Sequence, residues 1–188
     1  MISRVLPVCL VVFGVLFRFL PHPANFAPVA AVALFGGVYL SRRWAVILPL
    51  LIMLMSDLLM SIPGFRTLLP WGATSAGLHM HTPYVWLSFV LVGLIGLVVR
   101  RRKNPATVIL GSLAGSAVFY LVTNWAVWAF GTMYAPNFGG LLESYVRAIP
   151  FFRNTLLGDL VFTGLLFGAY EAIRLFARIQ ARREVITR

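Results

Sequence analysis

Residues 83–131 read PYVWLSFVLVGLIGLVVRRRKNPATVILGSLAGSAVFYLVTNWAVWAFG: an apolar run, a basic turn of Arg100, Arg101, Arg102, Lys103 and Asn104, and a second apolar run. A helix that crosses a bilayer needs about 20 mostly apolar residues. Two such helices joined by a turn this short must run antiparallel, with four positive charges at their shared end. That unit sets the reading of the rest.

Working outward, basic groups recur at every second gap between apolar runs: Arg4; Arg42 and Arg43; the 100–103 turn; then Arg174, Arg178, Arg182, Arg183 and Arg188. These are 12 of the 16 basic residues, and the intervening gaps hold only Arg18, Arg66, Arg147 and Arg153. Cytoplasmic loops of membrane proteins carry such an excess of Lys and Arg. The expectation is an all-α integral membrane protein of one domain, 1–188, with six transmembrane helices and both termini cytoplasmic. The helices are predicted near 5–20, 26–40, 44–62, 83–99, 106–131 and 152–176. Pro21 and Pro23 close the first, Pro63 the third, and Pro83 and Pro105 stand in first turns, where a missing N–H costs nothing. Pro49 is an expected kink, and Pro150 an expected helix start.

Composition excludes a soluble domain. The 188 residues are 60% hydrophobic and only 11% charged, with a mean hydropathy of +0.89, more apolar surface than a water-soluble core of this length hides. The net charge of +11 reads as arginines anchoring helix ends against anionic headgroups, with membrane lipids rather than nucleic acid as partners. The run at 5–20 is expected to be retained, because it leads directly into another apolar segment. The lone cysteine, Cys9, rules out an intramolecular disulfide and reads as a small buried apolar side chain.

Polar residues inside spans are costly and face the bundle interior. Counting along the predicted helices at about 1.5 Å per residue places Arg18, Asp57, Asn124 and Asp159 within roughly 3 to 11 Å of the outer boundary. One layer can hold all four, with Arg18 paired to Asp57 or Asp159 and Asn124 adding hydrogen bonds. Such a layer either ties helices together or floors a pocket. Asn154, Gly158 and Phe162 share one face of the sixth helix, and Thr155 and Asp159 the adjacent one. Asn124 and Trp128 lie on one stripe of the fifth, an amide and an indole suited to a flat, partly polar ligand.

The expected outer connections, 63–82 and 132–151, are long and rich in aromatics: Phe65, Trp71, Tyr134, Phe138, Tyr145 and Phe151 among them. Long loops of this kind are functional more often than idle. His79-Met80-His81 is the one candidate metal-ligating pair, a weak signal. No H-E-x-x-H, P-loop or G-x-S-x-G pattern occurs, so ATP hydrolysis, if transport needs it, belongs to another subunit. Ala27 and Ala31, four apart before Gly36 and Gly37, let a second helix approach closely, as do Gly111, Ser112, Ala114, Gly115 and Ser116.

The strings Asn25-Phe26-Ala27-Pro28-Val29-Ala30-Ala31-Val32-Ala33-Leu34-Phe35-Gly36-Gly37, Ser56-Asp57-Leu58, Val122-Thr123-Asn124-Trp125-Ala126-Val127-Trp128 and 148–159 resemble a family of small bacterial membrane proteins. That family is related to the substrate-binding S-components of energy-coupling-factor vitamin transporters. Size and topology are also similar to the solitary cobalamin-uptake proteins of that superfamily. The resemblance implies an S-component-like bundle in the bacterial inner membrane, with a vitamin-sized site under the outer loops. It further implies that Ala27 and Ala31 meet a coupling subunit of an ATP-driven complex. The leading expectation for cargo is cobalamin or a related corrinoid, with no intrinsic cofactor. The loop cysteine that cobalamin-binding relatives use for cobalt is missing, which leaves His79 or His81 as replacement ligands.

Candidate ligand-binding residues are therefore Asn25, Asp57, His79, His81, Tyr84, Asn124, Trp128, Arg153, Asn154 and Asp159. The competing expectation is a membrane enzyme using Asp57, Asp159 and a loop histidine in acid–base chemistry on a lipid or bound cofactor. A purely structural role is the third.

Overall fold

The computed structural model describes residues 2–68 and 82–186. Six α-helices follow one another: α1 Ile2–Phe17, α2 Val29–Tyr39, α3 Trp44–Ser61, α4 Thr82–Val99, α5 Pro105–Phe130 and α6 Phe138–Ile186. Single 3-10 turns occupy Phe65–Leu68 and Arg100–Arg102. Helices α3 to α6 are each long and apolar enough to cross a membrane, whereas α1 and α2 are shorter apolar helices. Large apolar side chains stand on the outer surface of the bundle, including Leu110 at 64% exposure and Leu165 at 61%, and Cys9, expected to be buried, is exposed on the surface of α1. Such a surface suits a multi-pass membrane protein and not one solvated by water.

Local chemistry sets most boundaries. Asn104 caps α5: its side chain accepts from the Thr107 N–H at 2.9 Å while Thr107 Oγ1 accepts from the Asn104 N–H at 3.0 Å, with Pro105 in the first turn. The second helix starts three residues later than predicted. Asn25 takes a left-handed φ of 65° in a turn closed by the Phe26 N–H on the Pro23 carbonyl, and Pro28 bars the residue before it from helical geometry.

The largest correction concerns α6, predicted at 152–176 and found to be 49 residues long. Pro150 does not start it but lies inside it. The start is set by Asn137, whose Oδ1 accepts from the Gly140 N–H at 2.9 Å and whose carbonyl accepts from the Leu141 N–H. The expected outer loop at 132–151 is thus mostly helix, and Phe138, Tyr145 and Phe151 are helical residues. At its other end the helix continues past 176 through Ala, Arg, Gln and Glu, all good helix formers.

Every residue of α2 from Val29 to Val38 is buried. A helix apolar all round belongs in an interior, and α2 is the central element, packed by α3, α4 and α6 and touched by α5, with α1 laid on α3. Closest approach is between backbones. A Cβ on Gly93 would stand 1.9 Å from the Ala45 carbonyl oxygen, and one on Gly37 would stand 2.2 Å from that of Gly93. The small residues of α5 divide their work: Gly111 and Gly115 accommodate Val99 and Val92 of α4, while Ser116 turns to α6. Ala31 is 1% exposed and packs inside the bundle, whereas Ala27 is half-buried.

The two ends differ in charge. Tyr39, at the end of α2, donates to Glu171 of α6 at 2.5 Å, and Lys103 of the α4–α5 turn pairs with the same carboxylate. This contact gathers Arg42–Arg43, Arg100–Lys103 and Arg174 onward at one pole. The ends of α1, α3 and α5 and the starts of α2 and α4 form the other.

Candidate functional site

At the arginine-poor pole, Arg18 follows the last turn of α1 and reaches α3. Its Nη1 lies 2.8 Å from Asp57 Oδ1 and donates to Ser56 Oγ at 2.5 Å. Asp57 Oδ2 accepts from Trp86 Nε1 of α4 at 2.8 Å, and Ser56 in turn donates to the Ile52 carbonyl at 2.6 Å. The ion pair is therefore shielded and both carboxylate oxygens are used. Of the two acids expected to meet Arg18, Asp57 does.

The other carboxylate is held differently. Asp159 of α6 is 3% exposed and accepts from Ser116 Oγ of α5 at 2.6 Å. One turn further toward the basic pole, Thr163 donates to Ser112 Oγ at 3.3 Å, extending a hydroxyl seam between the two helices. Among the described residues no cation pairs with Asp159.

Between these two acids lies a cavity of about 350 Å³. Arg18, Asn25, Asn124 and Asp159 line it, so three of the four residues predicted to share a layer face one space. Asp57 is the fourth and sits behind Arg18. Its aromatic walls are Phe89, Phe119, Tyr120, Phe151 and Phe152, and Ala27 with Val29 closes it on the α2 side.

Other predicted residues serve the frame. Tyr84 stacks on Phe130 at 4.7 Å and meets Trp125 edge-on, where the start of α4 meets the end of α5. Trp128 does not line the cavity; its Nε1 donates to the Ala135 carbonyl at 3.0 Å, fastening the chain between α5 and α6. Asn154 donates to the Ala24 carbonyl at 3.1 Å and thereby holds the turn carrying Asn25. Gly158 and Phe162, on the same face as Asn154, pack on Phe26. It is the adjacent face, Thr155 and Asp159, that lines the cavity. Arg153 is exposed and outside it. His79 and His81, with Trp71, lie outside the described residues.

Sequence reasoning missed His22, which lines the cavity, stacks on Phe17 at 5.5 Å and places Nδ1 2.9 Å from the Pro23 carbonyl. Wedged between two prolines, it read as punctuation. Phe119, Tyr120, Thr123 and Phe152 were also missed, although helical spacing points from Asn124 to Tyr120 and from Asp159 to Phe152.

No curated protein and no solved structure matches the chain. The model of one protein family, described as a family of unknown function (DUF6580), matches residues 2–182. The chain belongs to that family.

Proposed function

We propose that the protein is a membrane-embedded binding and uptake protein for a small vitamin-like molecule. The observation that carries this reading is the cavity at the arginine-poor pole, where polar groups and aromatic walls from five chain segments converge on one space of about 350 Å³. Binding sites for small organic molecules combine an apolar lining with a few placed polar groups in this way.

In the arrangement we propose, all six helices lie within a bacterial inner membrane, the arginine-rich pole and both termini are cytoplasmic, and the cavity belongs to the outer half. The likeness to S-components of energy-coupling-factor transporters supports this orientation, as does the charge bias of the turns. A cavity near the lower end of the usual 300–1,000 Å³ range favours a compact vitamin or precursor over a corrinoid. Energy coupling by a separate ATP-driven module agrees with the missing nucleotide motifs. With Ala31 buried, the surface offered to such a module lies elsewhere than on α2. The enzyme reading loses Asp57, whose two oxygens are committed to Arg18 and Trp86.

Native mass spectrometry of the protein extracted from membranes in mild detergent tests the proposal. The expected result is a bound small molecule in near-stoichiometric amount, diminished by Asn124→Ala without loss of folded protein. Empty protein from native membranes, together with no thermal stabilisation across a panel of water-soluble vitamins, would refute it.

A further inference from the structure

The charges around the cavity do not cancel. Arg18 is matched by Asp57 at 2.8 Å, which leaves Asp159 as an unmatched carboxylate on the cavity wall among the described residues. Ser116 serves its Oδ2, and no described residue donates to Oδ1. The first turn of α2, which also borders the cavity, contributes only a partial positive charge of about half a unit. With Asp159 ionised, the described lining is net negative.

Hydrogen-bonding capacity points the same way. The hydroxyl protons along the lining are already given to main-chain carbonyls: Thr123 to Phe119 at 2.8 Å, Thr155 to Phe151 at 3.1 Å, and Tyr120 to Tyr145 at 2.6 Å. The Asn124 amide donates one N–H to the Tyr120 carbonyl at 2.8 Å, which leaves its Oδ1 as an acceptor and one N–H. Because a carbonyl only accepts, His22 gives its Nδ1–H to Pro23. Among the described lining residues these lone pairs stand beside one carboxylate, while N–H groups remain on Asn25, Asn124 and Arg18, whose charge is spent on Asp57. The carboxylate without a cation is the feature that calls for a positively charged N–H donor on the cargo.

Resting on the binding function proposed above, we infer that the cavity takes a compact aromatic or cyclic molecule bearing a protonated amine, with Asp159 as its counter-ion and the phenylalanine walls around its ring. A charged hydrogen bond of this kind contributes about 1.5–3 kcal/mol, hence roughly a tenfold or greater preference over a neutral analogue.

The experiment compares three indoles on the full-length protein in detergent: tryptamine (cation), tryptophol (neutral) and indole-3-acetate (anion), read by thermal shift and direct binding. Tryptamine is expected to bind at least about tenfold tighter than tryptophol, and indole-3-acetate weakest. Asp159→Asn, which keeps shape and the Ser116 contact, should level tryptamine with tryptophol while preserving the melting temperature of the free protein. Thr155→Val should weaken tryptamine a few-fold as an independent check should Asp159→Asn fold poorly. Equal binding of tryptamine and tryptophol, a preference for indole-3-acetate, or a tryptamine preference surviving in Asp159→Asn would overturn the inference. Stabilisation by NaCl over choline chloride that depends on Asp159, with tryptamine silent, would overturn it by placing an inorganic ion there. Native cargo lacking a basic nitrogen overturns this inference but leaves the binding function standing; empty native protein that ignores all three probes overturns both.

Discussion

Arg18 and Asp57 illustrate how little freedom a low-dielectric interior gives a charge. Their side chains are 16% and 5% exposed, and the pair joins α1 to α3 and, through Trp86, to α4. Removing one member strands the other, at a cost of about 3–5 kcal/mol. Asp57→Ala should therefore lose that much in a denaturant titration in detergent, whereas Arg18→Met with Asp57→Leu should lose clearly less than the sum of the single changes. Additive losses would mean that the pair is not an energetic unit. Depth counting along the sequence was sufficient to bring Arg18 and Asp57 together, because ionisable groups in apolar runs have few places to go. That count could not tell which acid would stay unmatched. The choice depends on how α1 lies against α3, a packing detail that no periodicity carries. Trp86 was overlooked for a related reason: an indole in an apolar run looks like bulk until a buried acceptor is found for its N–H.

Helix ends divide into those written in local chemistry and those decided by packing. Pro105 made the start of α5 readable to within a residue, the Asn104–Thr107 capping box fixes it in the structure, and Asn104→Ala is expected to cost about 1 kcal/mol by the same denaturant measurement. The start of α6 was misplaced because Pro150 was taken as a boundary. Proline inside a helix loses one hydrogen bond and bends the chain, and neighbouring helices can compensate. Pro150→Ala should consequently leave helicity by circular dichroism unchanged and stability equal or higher; a loss of helix would show that the proline organises the bend. Between elements, the sharpest constraint is the crossing of α2, α3 and α4. A methyl group at Gly93 collides with the Ala45 main chain, which cannot rotate away as a side chain can. Gly93→Ala is expected to destabilise by at least about 1–3 kcal/mol, the usual range for overpacking, and to lower the yield of folded protein. The small-residue reading found Gly37 but not Gly93, whose place opposite α3 follows only from the three-helix crossing.

For the whole molecule, the number of helices and the segregation of arginine were legible, since both follow from what a bilayer excludes. Helix lengths were not. At about 1.5 Å per residue, α6 has a length of about 73 Å, more than twice a hydrocarbon core of about 30 Å: the arginines from Arg174 onward mark where the apolar run ends but not where the helix does. The proposed orientation predicts opposite labelling at the two poles. In a Cys9→Ala background, an impermeant maleimide applied to intact cells should react with Pro21→Cys and spare Arg101→Cys until the membrane is permeabilised. The reverse pattern would turn the molecule over. Finally, the 11-residue α2 is a stub of about 16 Å beside a 26-residue neighbour of about 39 Å. A truncated pillar at the centre of a ring leaves an empty shaft above its top, and Asn25, Ala27 and Val29 mark that top at the cavity edge. Pro28 and the left-handed Asn25 thus act as the stop that keeps the shaft open: a chain allowed to wind two further turns there would fill with its own backbone the room now left for a guest.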